Sequence, residues 1–248
     1  MPNKLNGKTI ILTGSKVVAS VTTMIEQHGG IVKHFPLIET VEAARHVEDE
    51  QFLHTLNTYD WLIFTSQNGV HFFFEKCTRA GIDLTNCRLK VAAVGEKTKQ
   101  ALEHLNIKVS FMPSIYSADV FVQEFTLGIQ ERALFVKGAL AKSTLKDALP
   151  IDEWTVYETR PYTKDLTRLA TCLHENETSI LIFASPSAVR VFFEEMALSD
   201  VSNKAIIASI GHVTTTELMK YGITPHIQPE IYTMQAVIEQ LILEEQSK

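Results

Sequence analysis

The sequence has no long apolar run, and its N-terminus is polar. No segment approaches the roughly 18 uninterrupted apolar residues that a membrane helix requires, so a membrane protein is not predicted. Residues 1–7 are polar, and only three apolar residues follow before Thr13. That stretch is too short for the apolar region of a signal peptide, and we therefore expect a cytoplasmic protein.

Paired cysteines and metal-binding motifs are also missing. The three cysteines, Cys77, Cys87 and Cys172, are scattered and form no Cys-x-x-Cys pair. Their odd number argues against a disulfide framework, and their spacing argues against a thiolate metal site. None of the nine histidines lies in a His-Glu-x-x-His spacing. We predict no metal site and interpret the histidines as surface or hydrogen-bonded core residues.

Positive charge is scarce as well. The formal net charge is −6, and no block of about five basic residues occurs. Neither nucleic acid nor an anionic membrane surface is therefore an expected partner. A local site must recognise whatever the protein binds.

Common catalytic signatures do not occur either. No Gly-x-Gly-x-x-Gly follows a strand, and no Walker-type Gly-x-x-x-x-Gly-Lys is present. A Gly-x-Ser-x-Gly elbow is missing too. The sequence therefore does not favour a dinucleotide-binding enzyme, a P-loop nucleotide-binding protein or a serine hydrolase.

The sequence does repeat a short apolar strand, a polar turn and an amphipathic helix. This alternation predicts an α/β fold with parallel sheets that are covered by helices on both faces. The first helix is predicted over Val17–His28, before Gly29 and Gly30. The predicted strands are Lys8–Leu12, Trp61–Phe64, Val91–Val94, Val109–Met112, Ala133–Val136, Thr155–Glu158, Ile180–Phe183, Ala205–Ile210 and Thr224–Ile227.

An internal repeat divides the chain into two related units. Gly95 matches Gly211, and Pro113-x-x-Tyr116 matches Pro229-x-x-Tyr232 at the same offset. The other matches pair Phe64 with Phe183, Ser66 with Ser185, the stretch Lys8–Phe35 with Arg132–Tyr157, and Gly14 with Gly138. Related halves of this kind normally face each other across a cleft, which is a preferred place for a ligand. Division by halves would fall near Gln130.

No Gly/Ser-rich or Pro-rich spacer marks a domain boundary. Pro36–Val41 and Trp154–Pro161 are extended in character, and each is a candidate strand-like connection. The charged run Glu48–Glu50 is most simply a solvated helix face.

The strand-to-helix turns are the candidate site. Ligands of parallel sheets lie beyond the carboxyl ends of the strands, and each helix start there offers free backbone N–H groups and the positive end of its dipole. A ring of such turns binds anions without formal positive charge. Plain helix capping is the alternative for each turn, as at Ser185 before Pro186. The candidate binding residues in these turns are Thr13, Ser66, Gln67, Gly95, Lys97, Thr98, Lys137, Gly138, Ser185, Ser187, Gly211, His212 and Thr214, to which Tyr232 is added.

Two lysines in these turns have two interpretations. Lys97 and Lys137 are placed to meet ligand carboxylates as point charges, or they are simply solvated.

In these residues the chain resembles the uroporphyrinogen-III synthase family. The resemblance covers nearly the whole chain and rests on motifs in family order: Leu62-Ile-Phe-Thr-Ser66 with Gly69-Val70, Ala93-Val94-Gly95 with Thr98, Thr155-Val-Tyr157-Glu-Thr159, Ile182-Phe-Ala-Ser-Pro-Ser187, Ile210-Gly211 with Thr214, and Pro229-x-x-Tyr232-Thr233. It implies two flavodoxin-like domains joined by a two-stranded linker. Residues 1–35 plus 162–248 would form domain one, 42–153 domain two, and 36–41 and 154–161 the linker strands.

The resemblance also implies a reaction and a catalytic residue. The family is a lyase that closes hydroxymethylbilane, a polycarboxylate, into uroporphyrinogen III with loss of water and inversion of ring D. It needs no metal and no cofactor, and we expect a monomer. Tyr157 matches the tyrosine usually proposed to help the hydroxyl leave. A phenol stays protonated at neutral pH and can donate a proton. The alternative is an aromatic residue that anchors the linker strand.

Three positions depart from the family pattern. Thr13-Gly14-Ser15 stands where relatives often carry an arginine, Val213 where threonine is common, and Lys137-Gly138 where Arg-Gly is common. Two other functions stay open at this point. One is a non-catalytic small-molecule binding protein with a two-domain cleft, and the other is a transferase that uses a sugar nucleotide.

Overall fold

The computed structural model describes residues 4–17, 19–44, 47–84, 88–176, 178–196 and 205–245. No helix within these ranges is both long enough and apolar enough to cross a membrane. Cys77 and Cys172 are buried and belong to no disulfide, whereas Cys87 lies outside the described residues.

Strands and helices alternate through most of the chain. The strands are β1 Thr9–Leu12, β2 Ile31–His34, β3 Ile38–Glu42, β4 Trp61–Phe64, β5 Lys90–Ala93, β6 Ala133–Gly138, β7 Asp152–Pro161, β8 Ile180–Phe183 and β9 Ile206–Ser209. The helices are α1 Ala19–Gln27, α2 Val47–Thr55, α3 Gln67–Arg79, α4 Glu96–Glu103, α5 Ala118–Glu124, α6 Thr144–Ala148, α7 Leu166–Glu175, α8 Pro186–Glu195, α9 His212–Lys220 and α10 Met234–Glu244, with a 3₁₀ turn at Leu56–Thr58. The predicted bounds of β4 and β8 are confirmed.

The strands form two sheets in two compact units. Unit 1 comprises Met1–Glu39 and Arg160–Lys248, and unit 2 comprises Thr40–Thr159. The sheet order is β2-β1-β8-β9 in unit 1 and β3-β7-β6-β4-β5 in the sheet of unit 2. Apart from β3, all neighbouring strands pair in parallel. The predicted α/β class with parallel sheets is confirmed.

The two sheets repeat one arrangement. The sequence repeat matches β8 with β4, β9 with β5 and β1 with β6, and matched strands occupy corresponding places in the two sheet orders. Beyond β5, Phe111 forms a single bridge to Ala92, and beyond β9, Ile227 forms one to Ala208. Phe111 and Ile227 are separated by the same number of residues as Gly95 and Gly211. The repeat therefore extends to the edges of the two sheets.

Helices cover both faces of each sheet because successive strand residues point to opposite sides. In β8, Leu181 and Phe183 enter one buried cluster with α7 and α8. Ile180 and Ile182 enter another with α1 and α10. In unit 2, Leu62 and Phe64 face a core that differs from the core around Ile63. This packing explains why β4 and β8 are uninterrupted apolar runs.

Two predicted strands are not formed. Within Val109–Met112 and Thr224–Ile227 the structure has only the single bridges at Phe111 and Ile227. Pro113 follows the first stretch, and Pro225 lies inside the second. Proline has no N–H to donate to a ladder. Pairing of the first stretch therefore ends before Pro113, and the second stretch hydrogen-bonds to β9 at His226 and Ile227, after Pro225.

The charged run in α2 is not wholly solvated, which corrects the sequence interpretation. Glu48 and Glu50 are exposed, but Asp49 is only 5% exposed. Its two carboxylate oxygens accept hydrogen bonds from Lys76 Nζ at 2.7 Å and from Trp154 Nε1 at 2.6 Å. A buried carboxylate with two donors ties α2 to α3 and β7.

The two extended stretches form β3 and β7, which lie at one edge of the five-stranded sheet. Ala43 N–H donates to the Val156 carbonyl, and Tyr162 N–H donates to the Leu37 carbonyl. The partners run in opposite chain directions, so this pair is antiparallel. The boundary between the units falls within both strands. The predicted linkers over 36–41 and 154–161 stay a prediction.

Candidate functional site

Most of the predicted site residues lie at the carboxyl ends of the parallel strands, where the next helix begins. Each unit is described by itself. The unit 2 rim is defined here as Ser66, Gly95, Lys137, Gly138 and Tyr157. The unit 1 rim is defined as Ser185, Gly211, His212 and Tyr232.

Matched serines cap the helices that follow β4 and β8. Ser66 Oγ accepts from the Gly69 N–H at 3.0 Å at the start of α3. Ser185 Oγ accepts from the Ala188 N–H at 3.2 Å at the start of α8, where Pro186 is the first helical residue. Both caps have extended backbone, as an N-cap requires. The capping interpretation therefore holds for both turns, and a ligand role has to be an additional one.

Matched glycines begin the helices that follow β5 and β9. Neither Gly95 nor Gly211 can cap with a side chain, so N–H groups of the first turns of α4 and α9 lack a side-chain acceptor there. A Cβ on Gly211 would lie 2.7 Å from Cγ and Cδ1 of Tyr232, whereas one on Gly95 would lie 3.9 Å from Cβ of Tyr116. The close approach of Tyr232 thus requires a glycine at position 211.

Tyr157 is the aromatic residue of the unit 2 rim, and three neighbours contact it. Its hydroxyl lies 2.9 Å from Ser66 Oγ, a contact in which either oxygen can donate. Its ring stacks on Phe72 of α3 at 5.9 Å between centroids with planes inclined by 21°. The hydroxyl end of the ring lies against Gly138, where an added Cβ would be 2.4 Å from Cζ of Tyr157. Since the residue is only partly buried, a positioned phenol is presented at the end of the sheet.

The backbone between β6 and β7 is adjusted at this point. Lys137 pairs with Thr155, but Gly138 pairs with Tyr157, so the register shifts by one residue. A shift of this kind re-aims a side chain locally. It brings Tyr157 directly beside Gly138.

Lys137 is already paired within the protein. Its Nζ lies 3.0 Å from Glu153 Oε1, and both side chains are mostly covered. The ammonium is therefore less free to act as an isolated point charge than the sequence suggested. Lys97, in contrast, is exposed in the first turn of α4.

Three predicted binding threonines are buried. Thr13 is 1% exposed, and its hydroxyl donates to the Ile182 carbonyl at 2.8 Å. Thr98 and Thr214 are 4% and 2% exposed, at matched places in α4 and α9. These side chains are enclosed at the helix starts, and the Thr98 N–H donates to the Gly95 carbonyl at 2.9 Å.

The remaining predicted residues lie at the beginnings of helices. Gln67 is exposed as the first residue of α3. Ser187 Oγ accepts from Arg190 at 3.2 Å. The ring of His212 lies 5.1 Å from the ring of Tyr232. Of these three, His212 shows a direct contact with another member of its rim.

Sequence reasoning missed Arg190, the cation beside Ser187. Its guanidinium lies 3.4 Å from Glu217. A hydrogen bond from Lys220 lowers the pKa of Glu217, burial opposes this, and the nearby charges of Lys220 and Arg190 lower it further. The ionised Glu217 holds Arg190 next to the turn. The three-residue spacing of Ser187 and Arg190 was the available signal.

The repeat contains a further matched feature that was overlooked. Ser117 and Thr233 follow the two matched tyrosines and cap α5 and α10 through Val120 N–H and Ala236 N–H. The offset that pairs Tyr116 with Tyr232 would have identified both. Phe72 was also missed as a stacking partner, because the sequence shows only a phenylalanine run.

Comparison with known proteins places this geometry in one family. The family model described as uroporphyrinogen-III synthase HemD matches residues 19–239. A uroporphyrinogen-III synthase of Chlorobaculum parvum is 32% identical over 240 residues, which span 91% of this chain and 94% of that protein.

Two crystal structures share the fold. A mutant uroporphyrinogen III synthase of Thermus thermophilus superposes with a TM-score of 0.66 at 17% identity, covering 98% of this chain and 100% of the other. The uroporphyrinogen-III synthetase of Helicobacter pylori also gives 0.66, at 20% identity, and covers 96% and 99% of the two chains. At these identities the likeness concerns the fold alone.

Proposed function

This chain belongs to the uroporphyrinogen-III synthase family, and on that premise we propose that it closes hydroxymethylbilane into uroporphyrinogen III, with loss of water and inversion of ring D. The observation that carries the assignment is the family match over residues 19–239 together with the 32% identical relative. The enzyme is accordingly a lyase of tetrapyrrole biosynthesis, and its substrate is a small molecule.

Tyr157 is proposed as the acid that helps the hydroxyl of hydroxymethylbilane leave. The phenol donates its proton as the C–O bond on the ring A side breaks, so that the hydroxyl departs as water. The cation that remains is an azafulvenium ion, and Tyr157 is left as the phenolate. Support comes from the partial burial of Tyr157 and from its three neighbours, Ser66, Phe72 and Gly138, which hold the ring and hydroxyl in place.

Ring D then attacks through its already substituted carbon and gives a spiro intermediate, which fragments and closes again with ring D inverted. Substitution on ring D finally releases one proton, which restores the phenol. Unassisted closure would give the uninverted isomer. The protein therefore acts mainly by holding the conformation in which the less accessible carbon attacks, which is catalysis by orientation.

Helix starts are proposed as the carboxylate-binding elements. The backbone N–H groups that follow Gly95 and Gly211 have no serine or threonine hydroxyl on the cap residue to accept from them. Carboxylates accept from such groups, and the helix dipole favours their charge. Ser66, Gln67, Lys97, Lys137, Ser185, Ser187, His212 and Tyr232 are proposed to contribute side chains or cap geometry, whereas Thr13, Thr98 and Thr214 support the turns.

Two sequence predictions stay proposals, namely a cytoplasmic location and a monomeric state. Cell fractionation and light scattering of the purified chain test them independently of activity.

The assay that tests the function is isomer analysis. The protein is incubated with enzymatically generated hydroxymethylbilane, the product is oxidised, and the uroporphyrin isomers are resolved by chromatography. We expect isomer III in excess over an enzyme-free control. Isomer I alone, from a folded protein, would reject the assignment in favour of a non-catalytic binding protein.

A further inference from the structure

We propose that Ser66 is a positioning residue that sets the direction of the Tyr157 hydroxyl proton. The proposal rests on the role given to Tyr157 under the proposed function and goes beyond it by naming the group that orients the acid. It stands on one chain of contacts, from Gly69 N–H through Ser66 Oγ to Tyr157 Oη.

The helix cap fixes the direction of the Ser66 hydroxyl oxygen. Its oxygen accepts from Gly69 N–H at 3.0 Å, so the oxygen faces the first turn of α3. A hydroxyl carries one proton besides its two lone pairs. With the oxygen directed at the helix start, that proton points away from it, and the Tyr157 oxygen lies within hydrogen-bond distance at 2.9 Å.

Electrostatics favour the same direction. The N-terminus of α3 is the positive end of its dipole, so a hydroxyl there is most stable with oxygen inward and hydrogen outward. If Tyr157 donated to Ser66 instead, the Tyr157 proton would point towards the positive end of the helix. Hydrogen bonds in one direction also polarise one another, so an amide bound to Ser66 makes Ser66 a stronger donor to the phenol.

This direction leaves the Tyr157 proton free to meet a substrate oxygen. Phe72 stacks on the ring and Gly138 lies against its hydroxyl end, so rotation of the hydroxyl about its own bond is the main freedom that remains. Ser66 restricts that rotation. A phenol that receives a hydrogen bond while keeping its own proton outward is prepared to protonate a leaving hydroxyl.

Three substitutions at Ser66 separate direction from capping. Ser66→Thr keeps a hydroxyl and should recover most of the kcat that Ser66→Ala loses. Ser66→Ala removes cap and donor, and kcat should fall about tenfold, by a larger factor than KM rises. Ser66→Asp still caps the helix, but its carboxylate can only accept hydrogen bonds. The Tyr157 hydroxyl would then donate its proton to Asp at position 66 and not to the substrate. We expect Ser66→Asp to stay folded and to lose more activity than Ser66→Ala.

Ser117 supplies the matched control, because it is a cap serine of the same unit whose oxygen accepts from Val120 N–H at 3.2 Å. Ser117→Ala should lose a similar amount of stability and keep kcat. A double-mutant cycle completes the test. On a Tyr157→Phe background, Ser66→Ala should cause no further loss of kcat, whereas a merely structural role would cost the same in both backgrounds.

The outcomes distinguish the two proposals. Wild-type kcat in folded Ser66→Ala and Ser66→Asp, with a slow Tyr157→Phe, would overturn the role of Ser66 alone. An equal loss on both backgrounds would overturn it as well. Wild-type kcat in Tyr157→Phe would remove the tyrosine and hence its positioning residue, and isomer I from the wild-type chain would reject the function itself.

Discussion

The ring of Tyr157 occupies the space that a side chain at residue 138 would need. A Cβ on Gly138 would lie 2.4 Å from Cζ, 2.6 Å from Cε2 and 2.7 Å from the hydroxyl oxygen of Tyr157. All three atoms belong to the far end of the tyrosine side chain. The glycine therefore determines where the phenol lies rather than whether the strand forms.

Gly138→Ala should inactivate the enzyme without unfolding it. The new methyl group displaces the tyrosine ring, which breaks the contact with Ser66, so we expect kcat to fall about as far as in Tyr157→Phe, roughly 10²-fold. The melting temperature should change little because the displaced group can rotate away. Steady-state kinetics and thermal unfolding check this, with Ala139→Ser at the adjacent exposed position as the control. Wild-type kcat in Gly138→Ala would contradict the positioning of the phenol.

Gly211→Ala should have a different effect. Its Cβ would meet Cγ and Cδ1 of Tyr232 at 2.7 Å and Cβ at 3.2 Å. The Cβ is fixed by the backbone, and Cγ and Cδ1 can move away only if the whole ring changes its χ1 rotamer. We expect a loss of about 1–3 kcal/mol in unfolding free energy and a higher KM. Gly95→Ala is the matched comparison, since its Cβ would meet Tyr116 only at 3.9 Å. Urea unfolding and KM should change less in Gly95→Ala, and equal changes in both variants would refute the steric explanation.

Lys76 is the cation that pairs with the buried carboxylate of Asp49 in unit 2. Its Nζ lies 2.7 Å from Asp49 and 2.9 Å from Glu42, and its side chain is 3% exposed. Burial raises the pKa of Glu42, but hydrogen bonds from Arg79 and Lys76 lower it by more, so this carboxylate stays ionised near the lysine.

Lys76→Met should therefore destabilise the protein by about 3–5 kcal/mol, because Asp49 is left buried without its cation. Urea unfolding measures the loss. Lys99→Met is the control, since Lys99 pairs with Glu103 at 3.9 Å on the surface and should contribute within about 0.5 kcal/mol. A loss no larger than that of the control would show that Asp49 does not need the lysine.

The ionisation of Glu131 makes the stability of the folded state depend on pH. A hydrogen bond from Lys90 lowers the pKa of Glu131 from 4.5 to about 2, helped by Gly128 N–H and Trp61 Nε1–H. A depressed pKa stabilises the folded state above pH 4.5, and this contribution is lost as pH falls from 4.5 through about 2.

Glu131→Gln should thus lower the melting temperature near neutral pH, and the difference from the wild-type chain should shrink as pH approaches 2. Thermal unfolding as a function of pH measures that difference. Lys90→Met removes the largest cause of the shift and should follow the same trend. A difference that does not vary with pH would contradict the account.

The local part of the fold was predictable from the sequence. The apolar runs at Trp61–Phe64 and Ile180–Phe183 are bounded by polar turns, and the structure has strands with these same limits. The repeat also pairs Ser66 with Ser185, and both cap helices. Such features follow from spacing along a short stretch of chain.

Contacts between distant residues were not predictable. Asp49 appears as one acid in a charged run, and only Trp154, 105 positions away, and Lys76 make it a buried anion. Likewise, Lys137 looks free until Glu153 is found beside it. Tyr157 and Ser66 are separated by 91 positions, and no periodicity brings them together. Packing of the sheets creates these pairs.

Turnover of Tyr157→Phe tests the central claim most directly, because this change removes one oxygen from the ring that Phe72 and Gly138 hold. Single-turnover consumption of hydroxymethylbilane should slow by about 10²-fold relative to the wild-type chain, with thermal stability nearly unchanged, and spontaneous isomer I should then compete with isomer III. A wild-type rate with isomer III alone would contradict the claim that the Tyr157 hydroxyl drives the loss of water.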